Sequence, residues 1–175
     1  MADPAAGTLD NPFWKFSLSV YGVPGVADEC LAVQESHAVD VNILLFCAWL
    51  ALARQVALTR AGIDAIVVEV GTWHESAVKP LRVARRYMKK VAGPDVAALR
   101  TLVKAAELEA EQLEQAMLFA YAEKHWRDRG QGALPETLST NLEGYLRAQG
   151  YAGPGGDALP LQSLSAAVLN FPTVS

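Results

Sequence analysis

The segment DVNILLFCAWLALARQVAL, residues 40–58, sets the architecture of the chain. Asp40 suits a helix N-cap, because its carboxylate can accept from the backbone N–H groups that an α-helix leaves without partners in its first turn. Behind it the chain is apolar on nearly every side until Arg54. A surface helix shows a polar face at each turn; a helix without one is enclosed by its neighbours. Ile43, Phe46, Cys47 and Leu50 form one stripe, and Leu45, Trp49 and Leu52 widen it, so Phe46 and Trp49 belong in the core. The run from Val41 to Ala53 is shorter than the roughly 20 residues that a membrane span requires. Asn42 interrupts it. A buried amide needs hydrogen-bond partners. Asn42 either ties two helices together or lines a small pocket beside Trp14 and Trp49.

On the N-terminal side, NPFWKFSLSVY (residues 11–21) reads as a helix capped by Asn11, with Pro12 at its first position. Phe13, Phe16 and Val20 make one stripe and Trp14, Leu18 and Tyr21 the next, so other elements should flank it on both sides. Val26, Cys30 and Val33 carry a second helix after the turn GVPG. On the C-terminal side, the central helix is expected to run to about residue 59, with Gly62 as its stop. Val67, Val68 and Val70 favour a strand by propensity. A single strand has no pairing partner here, and a short helix capped by Asp64 is expected instead. A long helix over about 72–92, kinked or broken at Pro80, then turns at Gly93-Pro94-Asp95 into a helix ending near His125.

Beyond it, Leu138, Leu142, Tyr145 and Leu146 mark a shorter helix, residues 151–158 a flexible connection, and residues 159–170 a last helix. The expected fold is all-α: an irregular helical bundle around a central apolar helix (about 41–59), with a long αα-hairpin (about 72–125). Residues 1–10 read as a disordered leader, 11–126 as the helical core domain, and 127–175 as a C-terminal helical appendage with flexible linkers.

Composition narrows the function. The chain has 175 residues, 51% of them hydrophobic, and a formal net charge of −4. That balance argues against general DNA binding, which calls for a basic domain. Cys30 and Cys47 lie in neither a CxxC nor a metal-type spacing, so free thiols are expected and a disulfide between them has no support. The opening MADPAAGTLD lacks the charged start and apolar stretch of a signal peptide, and a cytoplasmic protein is expected.

Several motifs occur in order. They are Phe13, Trp14, Phe16, Ser17, Leu18 and Tyr21; Pro24, Gly25, Val26, Cys30 and Leu31; Asp40, Val41, Asn42, Leu44, Leu45, Phe46, Cys47 and Trp49; and Trp73, Pro80, Leu81, Arg82, Arg85 and Arg86. In these the chain resembles a bacterial family of conserved hypothetical proteins, a domain of unknown function, over roughly residues 11 to 125. The resemblance implies no activity.

Two surfaces are candidates for function. KPLRVARRYMKK (residues 79–90) holds six of the chain's 15 Lys and Arg residues. On a helix, Lys79, Arg82, Arg85, Arg86, Lys89 and Lys90 fall within about 140° of arc, opposite Leu81, Ala84, Met88 and Val91. In an antiparallel hairpin turning at 93–95, facing positions sum to about 187. Lys79 then meets Glu107, while Arg82 to Lys90 face a stretch without acids. The ridge reads as a solvated face, as a contact for an acidic or phosphate-bearing partner, or as an internal ion-pair network. Arginine suits the second, because its planar fork grips carboxylate or phosphate through paired bonds.

The other candidate is a pocket of Trp14, Asp40, Asn42, Trp49 and His74. His37, His74 and His125 lie far apart, with no HExxH and no Glu-x-x-His pair, so neither a metal nor a cofactor is expected. A non-enzymatic partner-binding adaptor, or an assembly or regulatory factor, is the first reading. A small-molecule binder or enzyme is the alternative. A bare, uncompensated ridge would favour the first, and convergence of Asp40, Asn42 and His74 on a cavity the second.

Overall fold

A computed structural model describes residues 9–153 and 159–172. Residues 1–8 of the expected leader and 154–158 of the expected connection lie outside the described residues. Among the described residues every regular element is helical: α1 (Pro12–Tyr21), α2 (Val26–His37), α3 (Val41–Trp49), α4 (Arg60–Trp73), α5 (Lys79–Met88), α6 (Pro94–His125), α7 (Leu134–Ala148) and α8 (Gln162–Leu169). No described helix is long and apolar enough to cross a membrane.

The central helix sits where its composition demands. Residues 42–51 are all buried, and Phe46 and Trp49 pack with Phe13 into one aromatic cluster. Each such side chain removed from water contributes about 1.5–3 kcal/mol. Helices α1, α6 and α7 pack around α3, α4 lies against α6 and α7, and Leu138, Leu142, Tyr145, Leu146, Leu161, Leu164 and Val168 join the same core. Asn11 and Asp40 cap α1 and α3 by accepting from the N–H groups of Trp14 and Asn42, both at 2.9 Å. Cys30 and Cys47 are buried free thiols, each pushed up to about 12 by burial.

The central helix ends earlier than expected. It widens into a π-turn over Leu50–Arg54 and stops at Gln55, whose φ is 53°. Asn141, on α7, is the reason. Its amide donates to the carbonyls of Cys47 and Val56 and accepts from Leu58 N–H. These bonds hold residues 55–58 outside any helix, and Thr59, not Asp64, caps α4 through the N–H of Gly62. Gly62 therefore lies inside α4. The valine-rich stretch is helical, with Ile63, Ile66 and Val70 buried and Val68 79% exposed.

Between α4 and α5 the helix continues through a second π-turn, His74–Val78, in which Lys79 N–H donates to His74 O. Pro80 explains it. Proline lacks an N–H, and in a regular α-helix its ring would press on the carbonyl of the residue four positions before it. The wider turn relieves that contact, so the helix carries on past Pro80. It also turns His74 toward α3 and α6.

Candidate functional site

The basic ridge is not bare. Arg82 Nε donates to Glu107 at 3.2 Å and its Nη2 to Glu111 at 2.7 Å. Arg85 donates to both oxygens of Glu107 through Nε and Nη2. Lys79 pairs with Glu75 one turn earlier, not with Glu107, and Arg86 reaches Glu35 on α2. Burial alone would raise the Glu107 carboxyl, but Arg85 and Arg82 outweigh it and hold it below the usual carboxylate range.

The facing-position rule missed this because helical side chains lean toward their own N-terminus. In an antiparallel pair, that carries an α5 arginine tip about one turn toward the C-terminal end of α6. Glu107 and Glu111 stand there. Helix α5 buries no residue fully, and Arg82 and Arg85 lie half-buried like Leu81, Ala84 and Met88. Lys89 and Lys90 are exposed, with no ion pair among the described residues.

The arginines wall a cleft of about 320 Å³. Trp14, Leu18 and Tyr21 form its opposite side, so the second apolar stripe of α1 faces this cleft. Leu18 remains 55% exposed. Asn42 and Gln115 lie on its lining, Lys104 adds a fourth cation, and Glu107 and Glu111 are the carboxylates. Ser17 Oγ and Gln115 Oε1, both on residues of this lining, are buried without a hydrogen-bond partner. Trp49 is not part of the cleft. It is 3% exposed and packs on Phe13, Phe46 and Phe119.

A second cleft, of about 530 Å³, lies across Arg82 and Arg86, with Asp40, His74 and Tyr145 on its wall. His74 Nδ1 is 2.8 Å from Asp40 Oδ2 and 3.2 Å from Glu114 Oε1. Asn42 fixes both carboxylates. Its backbone N–H donates to Asp40 Oδ1, and its Nδ2 donates to Glu114 Oε2 at 2.8 Å. Gln115 Nε2 in turn donates to Asn42 Oδ1. Asp40 N–H donates to the Tyr145 hydroxyl, which anchors α7 to the start of α3.

Burial and the Asp40 charge raise the Glu114 carboxyl well above the usual range. Burial works against a charged His74, but the two carboxylates outweigh it and raise the imidazole. Burial would also raise Asp40, yet the close His74 imidazole, the Glu114 side chain and the backbone N–H of Asn42 hold it low.

Of the expected pocket residues, the structure brings Asp40, Asn42 and His74 together and sets Trp14 on the adjoining cleft. Glu114, Gln115, Ser17 and Tyr145 were not anticipated. Glu114 and Gln115 had a signal in the sequence: a carboxylate and an amide directly before the apolar run at residues 116–120.

The chain belongs to the family described as Protein of unknown function (DUF2390), which it matches over residues 12–118. That span holds both clefts' polar groups except Tyr145 and Gln149. No curated protein and no solved structure matches the chain.

Proposed function

We propose that this protein binds a small organic anion, a carboxylate or phosphate ester with an apolar portion, in the cleft between α1 and the α5–α6 hairpin. One observation carries the reading. Ser17 Oγ and Gln115 Oε1 are buried and unpartnered on a cleft lined by Arg82, Arg85, Arg86 and Lys104 against only Glu107 and Glu111. Unpartnered buried polar atoms are rare in folded proteins, and a ligand that bonds to them removes their cost. The surplus cations set the sign of the ligand, while Trp14, Leu18 and Tyr21 supply apolar surface for its body. The volume suits a metabolite-sized molecule rather than a polymer.

The test is a panel of aromatic and aliphatic carboxylates and phosphate esters, read by thermal shift and by tryptophan fluorescence. A binding anion should raise the melting temperature. Replacing Lys104 or Arg86 with Ala should weaken it about tenfold or more, as expected for a charge-assisted bond worth about 1.5–3 kcal/mol. If no anion shifts the melting temperature, or the cations are dispensable to one that does, the reading fails.

The adaptor reading has its own support. Val83, Tyr87, Leu99 and Leu102, near the turn of the same hairpin, are 62%, 68%, 49% and 68% exposed, beside Lys89 and Lys90. A segment both apolar and acidic would suit that end. Replacing Tyr87 and Leu102 with Ser should abolish salt-sensitive capture of such a partner while leaving anion binding unchanged.

A further inference from the structure

We propose that Asp40 Oδ2, His74 Nδ1 and Glu114 Oε1 bind one divalent first-row transition-metal ion, with a coordination position open to the second cleft. The donor atoms of these three residues lie within 4.8 Å of one another, close to the spacing that ligands keep around a single ion. Each carboxylate commits one oxygen to Asn42, which leaves Asp40 Oδ2 and Glu114 Oε1 turned toward the imidazole. Asp40 Oδ2 is the second observation. Its residue is 6% exposed, and although the oxygen lies 2.8 Å from His74 Nδ1 it has no hydrogen bond of acceptable geometry. A buried carboxylate oxygen in that state calls for a positive centre.

The surroundings agree. Asn42, itself held by Gln115, orients both carboxylates, and Tyr145 fixes the Asp40 backbone, as outer partners do at metal sites. His74 opens a π-turn, a distortion that recurs at functional positions in helices. One imidazole and two carboxylates suit Zn²⁺, Mn²⁺, Fe²⁺ or Co²⁺ better than the softer copper(I). Two carboxylates and a divalent cation sum to zero charge, which a buried cluster favours. Asp40 and His74 reach the cleft, so an ion can enter there and hold water or an exchangeable ligand. The donors come from α3's cap, the π-turn and α6, and none of the three lines the anion cleft.

The test is a Co²⁺ titration of the full chain after chelator treatment, followed by visible absorption and thermal melting, with Zn²⁺ as competitor. One equivalent should give the intense bands of four- or five-coordinate cobalt, raise the melting temperature, and be displaced by Zn²⁺. Glu114→Gln keeps the shape of the side chain. It should weaken binding beyond the roughly 10–100-fold typical of losing an outer partner. His125→Gln should change nothing. A spectrum of hydrated cobalt alone in the wild-type protein overturns the proposal and leaves a proton as the cluster's positive centre. So does binding that survives Glu114→Gln or disappears with His125→Gln. Because the wild-type titration stands alone, a variant that fails to fold does not blunt the result. Failure of the anion panel would not affect it.

Discussion

Reversing the charge of Arg85 should separate a structural arginine from its solvated neighbour Arg86. Arg85 donates twice to Glu107, whose side chain is 6% exposed, and is itself 24% exposed. Arg85→Glu removes both bonds and sets a second carboxylate beside the first. Like charges about 5 Å apart at an effective dielectric of about 20 repel by about 3 kcal/mol. Breaking a buried pair by removing one partner costs about 3–5 kcal/mol. The two figures overlap, and Arg82 still compensates Glu107, so the expected loss is about 3–4 kcal/mol. Arg86 is 47% exposed and its partner Glu35 65%. Arg86→Glu should therefore cost only about 0–1 kcal/mol.

With a urea slope of about 2 kcal/mol/M, the first change lowers the unfolding midpoint by about 1.5–2 M and the second by less than about 0.5 M. Adding Glu107→Gln to Arg85→Glu removes the repulsion and should return about 1–2 kcal/mol. Equal small shifts from the two reversals would show that Arg85 is as solvated as Arg86. A loss that Glu107→Gln leaves untouched would place its cause elsewhere.

Trp49→Ala should cost about 3–5 kcal/mol in urea unfolding, since the ring is enclosed by Phe13, Phe46 and Phe119. A midpoint close to wild type would contradict its central place. Cys30 and Cys47 should resist a thiol-reactive dye in the native protein and react only on unfolding, because burial keeps both protonated at neutral pH. The depressed Glu107 carboxyl stabilises the fold above the ordinary glutamate value of about 4.3, and that contribution fades as the pH falls through its lower folded value. Glu107→Gln should flatten this acid limb when urea midpoints are compared from about pH 5 to pH 3. Asn141→Leu should cost about 2–5 kcal/mol by leaving Leu58 N–H and two carbonyls without partners, read by the same unfolding assay.

Features that depend on neighbours along the chain can be read from the order of residues alone. An apolar run behind Asp40 reports a capped, enclosed helix, because capping and amphipathicity act within one or two turns. The buried thiols and the core position of Trp49 follow from the same periodicity. Contacts between distant segments arise only when the helices pack. Asn141 ends the central helix from 94 residues away, by bonding to Cys47 O. The arginine ridge looked unpaired because position numbers locate Cα atoms, whereas the ion pairs form between side-chain tips that lean in opposite directions on antiparallel helices. His74 and Glu114 are 40 residues apart in no recognisable spacing. They meet at Asp40 because a π-turn before Pro80 rotates one helix just as α6 passes the start of α3. A hydrophobic period names the face a helix buries. It carries no record of which polar atoms from other helices will share that face.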